Sequence, residues 1–306
     1  MPVSLDSAYD LLQPGLYKVT GMYDEIPTQY SKVFTKRQSN MAAERSVQVA
    51  FLGAAQYKTE GGQTAFDNNA GERFVWNAVH NEVGLGYAIT RPAIDDNLYK
   101  AQFKPTNLGL QRSFKEFKEA QGAAIFNNGT TYDSTIGGDG QAFFSTAHPV
   151  DGGTVANTPT VQVDLNESSL GAAQIAVRSN WVDERGLKIS AKAKKCIVPT
   201  ALQPVIIRLQ ESELRPGTAN NDVNTIMRMD DGSMTKFMVW DYLTSSRAWF
   251  VLTDVAEDSL VLMQRINYET DMQVDFTSDN LLVKGYERYV FTINDWRGAY
   301  GSFPTS

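Results

Sequence analysis

A chain of 306 residues can bury a substantial core in one large domain or in two of ordinary size. Its content of 42% hydrophobic and 21% charged residues excludes a disordered or collagen-like chain. The formal net charge of -7, from 28 basic and 35 acidic residues, argues against tight sequence-independent binding of nucleic acid, which needs a clustered basic face. No apolar run reaches the roughly 20 residues that cross a membrane, so no membrane association is expected.

The first 45 residues form a mixed, polar segment. Pro14 and Pro27 interrupt any long helix, and a polar run follows at 35–40. We interpret residues 1–45 as an arm with short helical pieces that gains order by lying on another surface. A partly disordered terminus is the alternative.

Residues 46–90 change to a period of two, which is typical of strands. Val47 and Val49 alternate on the way out. The return strand alternates through Val83, Leu85, Tyr87 and Ile89. The middle, 57–72, is rich in Gly and Asn and holds one or more turns. The pattern predicts a two-stranded ribbon, which is marginal in water by itself.

A long helix is predicted from the cap Thr90 to Asn127, with a break near Pro105. Its apolar stripe is predicted to comprise Leu110, Phe114, Phe117 and Ala124, packed on a sheet. The pairs Arg112–Glu116 and Lys115–Glu119 are predicted on the solvated side.

The second half of the chain alternates helix and strand signals. A helix is predicted from about Glu167, with Leu170, Ala173, Val177 and Trp181 at helical spacing. Gly186 is predicted to end that helix, and a strand then runs to Ile197 before Pro199-Thr200 opens another helix. Strand segments are predicted around 237–239 and 248–252, and long strands within 260–294.

The residues that carry chemistry are sparse. Two histidines, His80 and His148, cannot build a three-histidine metal centre, and the single Cys196 excludes disulfides and multi-cysteine metal sites. Cys196 is predicted to be a small packed side chain, and His148 to lie in a buried turn bonded to backbone. No nucleophile elbow or phosphate-binding loop is present. The sequence predicts no catalytic residue, no cofactor and no metal site, so the protein is not expected to be an enzyme.

Several segments, taken in their joint order and spacing, resemble the major capsid proteins of tailed bacteriophages. They are YDEIPTQYSKVF (23–34), LGYAITRPAIDDNLY (85–99), FFSTAHPVDGG (143–153), WVDERGLKISAKAKKCIVPTALQ (181–203), PGTANNDVN (216–224), WDYLTSSRAWF (240–250) and YERYVFTINDWRGAYGS (286–302). The resemblance implies an α+β fold of the Hong Kong 97 type with an N-terminal arm, an extended β-ribbon loop, a peripheral domain with a long spine helix and a β-sheet, and an axial domain. The implied ranges are 1–45 for the arm, 46–90 for the extended loop, 91–142 and 257–294 for the peripheral domain, and 143–256 and 295–306 for the axial domain.

The same resemblance implies a structural function. Many copies are expected to assemble as pentamers and hexamers into an icosahedral shell around double-stranded DNA, in a virion made in the bacterial cytoplasm. Scaffold, portal and decoration proteins are the expected partners, and the mild negative charge suits weak, non-specific contact with the packaged DNA. The residues expected to contact neighbouring subunits are Tyr57, Lys58, Gly61, Gly62 and Phe66.

Two alternatives stay open at this point. A nanocompartment shell of the encapsulin type would share the fold and enclose cargo enzymes. A soluble enzyme would need a concave site with converging polar groups, which this inventory does not suggest.

Overall fold

The computed structural model describes residues 23–50, 52–64, 66–67, 71–96, 99–136, 138–212, 224, 226 and 236–305, without the side chains of 99–102. The strands are β1 (Thr35–Gln38), β2 (Ala43–Ala50), β3 (Gly71–Val79), β4 (Asn81–Ile89), β5 (His148–Val150), β6 (Gly153–Val155), β7 (Ala193–Val198), β8 (Phe237–Val239), β9 (Trp249–Thr253), β10 (Leu260–Val274), β11 (Leu281–Ile293) and β12 (Ala299–Ser302). The helices are α1 (Arg91–Asp95), α2 (Tyr99–Asn127), α3 (Glu167–Ile175), α4 (Gln203–Glu211) and α5 (Ala256–Ser259). Most of the segment at 216–224 lies outside the described residues.

The first sheet contains four strands in the order β1-β10-β11-β4. β10 and β11 form a long antiparallel hairpin, with β4 antiparallel on one edge and β1 parallel on the other. The long strands predicted within 260–294 are confirmed, and α2 packs on them through Phe114, whose ring centroid lies 5.0 Å from that of Tyr268. Gly285 provides the space, because a Cβ there would lie 2.8 Å from the Phe114 ring.

The second sheet has the order β12-β9-β7-β8. β7 is antiparallel to β9 and parallel to β8, and the last segment of the chain adds β12 beside β9. Cys196 in β7 is fully buried, and this burial raises the pKa of its thiol to about 12. The thiol therefore stays protonated and fills core space, as predicted.

Phe126, near the C-terminal end of α2, is the centre of the largest aromatic cluster in the part of the chain that the structure describes. It is fully buried. Its ring centroid lies 5.1 to 6.2 Å from those of Phe34, Phe143, Phe144, Trp240 and Phe250. These partners precede β1, follow α2, or belong to the second sheet and its flank. One side chain thus joins the long helix to both halves of the fold.

The arm interpretation is wrong for the described part of the N-terminal segment. From Tyr23 onward the segment packs on its own chain: Tyr23, Tyr30 and Phe34 are buried, and β1 is an edge strand of the first sheet. Glu119 on α2 accepts the backbone N–H of Tyr30 at 3.0 Å and so fixes the turn before β1. Residues 1–22 lie outside the described residues.

The predicted pairing of the ribbon is also wrong. β2 pairs with β3, whereas β4, the predicted return strand, belongs to the first sheet. Gly86 explains the difference, because a Cβ there would lie 2.8 Å from the Val283 carbonyl oxygen. The glycines that looked like the polar face of a ribbon instead allow close approach to β11.

The long helix differs from its prediction at its start and along its buried face. The break falls between Asp95 and Tyr99, and Pro105 lies inside α2. Buried Phe103 and Leu110 flank that proline, so packing on the sheet holds the helix through a position that removes one backbone hydrogen bond.

The predicted stripe of α2 is half right. Leu110 and Phe114 are buried, but Phe117 is 46% exposed. Lys115 and Glu119, predicted to be solvated, are buried together with Lys118. Lys115 makes a cation–π contact, with its Nζ 4.0 Å from the centroid of the Tyr23 ring. The N-terminal segment covers this polar stripe.

The region after α3 confirms the predicted core residues and corrects the role of Gly186. Leu170, Ala173, Val177 and Trp181 are buried. The helix ends in a π-turn over Ala176–Asn180, and Gly186 instead closes a tight turn with a φ of 80°. The turn is held by the Asp183 N–H, which donates to the Leu187 carbonyl at 2.7 Å.

Candidate intersubunit surface

The ribbon formed by β2 and β3 has one face against its own chain. Trp76 and Ala78 of β3 are buried. Gly138 receives the indole, because a Cβ at this glycine would lie 2.6 Å from the Trp76 ring. The φ of Gly138 is 65°, a conformation that other residues rarely adopt. The ribbon is therefore docked at its base.

The opposite face of the ribbon is open to solvent and carries several valines, with the pair Arg45 and Asn77 between them. Val47 lies directly opposite Val75 across the two strands. Val75 and Val79 are 40% and 59% exposed, and Val49 beyond the bulge is 46% exposed. A row of exposed β-branched side chains on a two-stranded ribbon indicates a surface that another chain covers.

The loop that connects β2 to β3 carries the residues that the sequence predicted for contacts. Tyr57 is 108% exposed and Phe66 is 86% exposed, and Lys58 and Gly61 are exposed as well. Gly61 has a φ of 74°, and the partly buried Gly62 donates its N–H to the Thr59 carbonyl at 2.9 Å. The loop thus presents two aromatic rings to solvent, and neither ring packs on the part of the chain that the structure describes.

Glu184 anchors the ribbon to the body of the subunit. Its carboxylate accepts Gln48 Nε2 of β2 at 2.6 Å and Arg297 Nη2 at 2.8 Å, and it pairs with Arg73 Nη1 of β3 at 3.1 Å. The Glu184 carbonyl also accepts Arg73 Nη1, at 2.7 Å. Glu184 and Arg297 are 5% and 2% exposed, so this cluster is shielded from solvent. Hereafter we call it the ribbon anchor.

The neighbouring residue, Arg185, holds the loop itself. Its Nη2 lies 2.9 Å from Asp67 Oδ2, and its Nη1 lies 2.9 Å from Asp151 Oδ2. Asp67 Oδ2 also accepts the Gly53 N–H at 2.8 Å, so the two ends of the loop meet. We call the Arg185–Asp67 pair the loop clasp.

A polar cluster lies at the root of the ribbon, where β3 passes into β4. His80 is buried, with Nε2 3.1 Å from the Oγ of Ser39, whose hydroxyl donates to Glu44. Burial lowers the pKa of His80, although the nearby Glu44 opposes this shift. A neutral imidazole is therefore favoured at the root.

An open groove runs beside the ribbon. A cavity of about 1030 Å³ lies between α2, the end of β11 and the loop after α2. Phe117 and Tyr132, which are 46% and 55% exposed, line it together with Val79. The sequence prediction missed this surface because it assigned Phe117 to the core.

A second polar cluster surrounds His148. His148 is buried, with Nδ1 2.6 Å from Asp139 Oδ2 and Nε2 3.1 Å from Asn157 Oδ1. The prediction that its imidazole bonds to backbone is therefore wrong, because both partners are side chains. Its ring stacks on Trp296 with centroids 4.4 Å apart. The hydroxyl of Ser145 is bonded to Gln141 instead, at 3.1 Å.

The described ranges contain neither a metal-binding cluster nor a membrane-spanning helix. Among these residues, no group of three His, Cys, Asp or Glu side chains could hold a metal ion. Across the same ranges, no helix has the length and apolar character needed to cross a membrane.

The family model for phage capsid protein matches residues 79–302, which is more than half of the chain. The chain belongs to the phage capsid protein family. The match begins at the end of β3 and contains the second sheet, three of the four strands of the first sheet and all five helices defined above. No curated protein sequence matches the chain.

Solved structures agree on the fold. A chain of Microbacterium phage Oxtober96 is 12% identical with a TM-score of 0.58, and the match covers 91% of each chain. The procapsid of bacteriophage JBD30 is 15% identical with a TM-score of 0.52, covering 98% of this chain and 76% of that one. A virus-like particle from Pyrococcus furiosus is 7% identical with a TM-score of 0.53, covering 94% and 98%. This phage capsid protein therefore has the Hong Kong 97-like α+β fold and serves as a structural subunit of the capsid shell of a virion.

The loop clasp of this phage capsid protein gives a direct prediction. In Arg185→Ala, we expect trypsin to cut at Lys58 several-fold faster than in the wild type, because a partly exposed ion pair worth about 0.5–1 kcal/mol no longer holds the loop. The rate is measured by limited proteolysis, following the fragment that ends at Lys58 by mass spectrometry.

The matched control is Asp151→Asn, which removes the other partner of Arg185 and leaves Asp67 in place. Cleavage at Lys58 should then stay near the wild-type rate. Equal rates for the wild type and Arg185→Ala would show that the clasp does not restrain the loop.

Proposed function

We propose that this phage capsid protein assembles as pentamers and hexamers into an icosahedral shell that encloses double-stranded DNA. The observation that carries the proposal is the group of exposed valines on the outer face of the ribbon (Val49, Val75 and Val79), together with exposed Tyr57 and Phe66 on its loop. A monomer gains nothing from exposing these side chains, whereas a neighbouring copy would bury them. We assign Tyr57, Lys58, Gly61, Gly62 and Phe66 to contacts with that neighbour.

Several modest contacts would act together in such a shell. The loop precedes the start of β3, whereas the groove is lined by Val79 at the end of that strand, so each subunit can touch more than one neighbour. Once one contact forms, the others become intramolecular, and the closed lattice is favoured without any single tight interface. The formal charge of -7 suits a wall that encloses DNA and contacts it weakly.

The two sheets support a division of labour. We assign the peripheral domain to 91–142 and 257–294, which contain α2 and the hairpin β10–β11, and the axial domain to 143–256 and 295–306, which contain the second sheet. Axial domains would surround the centres of pentamers and hexamers. Peripheral domains and the ribbon (within 46–90) would join one capsomer to the next.

Synthesis and assembly would occur in the bacterial cytoplasm, with a scaffold, a portal and decoration proteins as partners. The protein would have no turnover of a substrate, since the polar clusters at His80 and His148 are occupied by their own neighbours. An encapsulin-type nanocompartment is the second candidate, supported by the fold shared with the virus-like particle.

Shortening the loop tests the proposal. Replacement of residues 55–65 by a short glycine-serine linker should leave a folded subunit that forms few or no closed shells in electron micrographs. The linker can close the gap because Gly53 and Asp67 are hydrogen-bonded to each other. The deletion must stop before 71, because β3 begins at Gly71.

The double substitution Tyr57→Ala with Phe66→Ala should weaken assembly in the same direction, and Glu60→Ala on the same loop should not. Circular dichroism and thermal melting confirm that each variant is folded. An unchanged yield of closed shells from the subunit with the shortened loop would contradict the assignment of these loop residues to intersubunit contacts. Nuclease-protected DNA inside the shells supports the genome container, whereas protein cargo without DNA supports the nanocompartment.

A further inference from the structure

Three polar side chains meet inside the core between α2 and the first sheet, and the capsid function does not use them. Lys118 of α2, Gln264 of β10 and Glu287 of β11 are 2%, 0% and 1% exposed. Lys118 Nζ donates to Gln264 Oε1 at 2.7 Å and also to Glu287 Oε1. Gln264 Nε2 donates to the same Glu287 oxygen at 3.0 Å.

This arrangement brings together an amine, a carboxamide and a carboxylate. Glu287 Oε1 contacts both Lys118 Nζ and Gln264 Nε2. If the amine attacked the amide, Nζ would lose a proton and Nε2 would gain one. The Lys118 nitrogen is held 2.7 Å from the oxygen of the carboxamide whose carbon it would attack, and groups held in contact react far faster than free ones. We propose that Lys118 and Gln264 form an isopeptide bond within one chain, with Glu287 carrying the proton.

The step balances without another reagent. The neutral amine of Lys118 attacks the Gln264 side-chain carbonyl carbon, and a new C–N bond forms. Glu287 accepts the proton from Nζ and returns it to Nε2, the bond from that carbon to Nε2 breaks, and ammonia leaves. Glu287 ends in its starting form, and no oxidation or reduction takes place.

The surroundings favour this chemistry. Burial lowers the pKa of Lys118 to about 8, although Glu287 opposes the shift, so the reactive neutral amine is accessible in mild base. Tyr23 closes the site by donating its hydroxyl to Glu287 Oε2 at 3.1 Å, and it stacks on Tyr268. The exclusion of water suppresses hydrolysis of the amide as a competing reaction.

The strand geometry also fits a site that is built rather than accidental. The pairing of β10 with β11 shifts register between Gln264 and Ile266, and Gln264 Nε2 donates to the Ile266 carbonyl at 2.6 Å. Such a bulge redirects a side chain, and here it places the carboxamide in contact with both the amine and the carboxylate. The product would tie the middle of α2 covalently to the sheet beneath it.

The test is the intact mass of the purified full-length chain, denatured after incubation of the folded protein at about pH 9, above the lysine pKa. We expect a species lighter than the sequence mass by one ammonia. Trypsin should then leave Lys118 uncut, joined to the peptide that contains Gln264. A wild-type chain that keeps its full mass after this incubation overturns the proposal.

Variants locate the loss of ammonia. Gln264→Glu removes the leaving amide and should keep the full mass, while Glu287→Gln should slow the reaction by about 100-fold or more. Lys115→Arg, which changes the buried lysine one turn away, should react like the wild type. The same mass loss in Gln264→Glu would place it elsewhere in the chain and refute the bond. All measurements use the unassembled chain, so they do not depend on shell formation.

Discussion

Phe126→Ala is expected to lower the free energy of unfolding by about 3–5 kcal/mol. The side chain is fully buried, and its ring contacts five other aromatic rings that belong to different parts of the chain. Truncation removes the transfer free energy of the ring and leaves a cavity that rigid aromatic neighbours fill poorly. Denaturant unfolding, followed by tryptophan fluorescence because Trp240 lies in the cluster, measures the change.

Phe117→Ala on the same helix is the matched control. That ring is 46% exposed at the groove, so its loss should cost less than about 1 kcal/mol. Phe126→Leu should fall between the two, because it retains apolar volume but not the ring edges. Equal costs for Phe126→Ala and Phe117→Ala would contradict the view that one aromatic cluster joins α2 to both sheets.

The sequence alone predicts those elements of the fold whose stability is local or whose pattern is long. The strands within 260–294, the helix from Glu167 and the strand near Cys196 are all present. In each case a run of apolar side chains at one period extends over two turns or more than five residues. Such runs leave little choice about which face is buried.

Strand partners were not predictable in the same way. Residues 83–89 alternate as well as any ribbon strand, and only the contact of Gly86 with the Val283 carbonyl shows why they lie beside β11. β3 was missed although Phe74, Trp76 and Ala78 alternate, because its first residues were interpreted as part of a turn. The choice of partner depends on residues some 200 positions away in sequence, which periodicity does not reveal.

Charge pairs at helical spacing misled the prediction for α2. Lys115 and Glu119 look like a solvated pair, yet the N-terminal segment covers them. The Tyr23 ring packs against the Lys115 ammonium, and the backbone N–H of Tyr30 donates to the Glu119 carboxylate. A buried polar stripe of this kind is stable only when a second segment supplies its partners, and spacing on one helix contains no information about that segment.

Composition predicts the exposed loop of the candidate surface, but it does not predict the ribbon anchor that holds the ribbon to the subunit. Glycine at 61 and 62 and exposed Tyr57 could be expected from a turn with little core material. The ribbon anchor joins Gln48, Arg73 and Arg297 through Glu184, and these residues are far apart in the chain. From the sequence alone, the adjacent carboxylates Asp183 and Glu184 are typical of solvated caps or turns.

Removal of the ribbon anchor should have the second large effect. In Glu184→Ala we expect a loss of about 3 kcal/mol, because a buried arginine loses its main carboxylate and two ribbon side chains lose their acceptor. Arg297 keeps Asp295 at 3.1 Å and the Val182 carbonyl at 2.9 Å, which limits the loss to the lower end of the range for buried ion pairs. Thermal melting measures the stability of the whole subunit.

Hydrogen exchange separates the ribbon from the rest. Because two of the three side chains that bind the Glu184 carboxylate belong to β2 and β3, the amides of these strands should exchange much faster in Glu184→Ala, while those of β7 and β9 change little. Glu184→Gln retains one acceptor oxygen and should be intermediate, and the exposed Glu116→Ala should match the wild type. Unchanged amide exchange in β2 and β3 would mean that Trp76, buried against Gly138, holds the ribbon in place without the anchor. Fewer closed shells from a Glu184→Ala subunit that is still folded would show that the attachment of the ribbon to the subunit, and not only its loop, determines assembly.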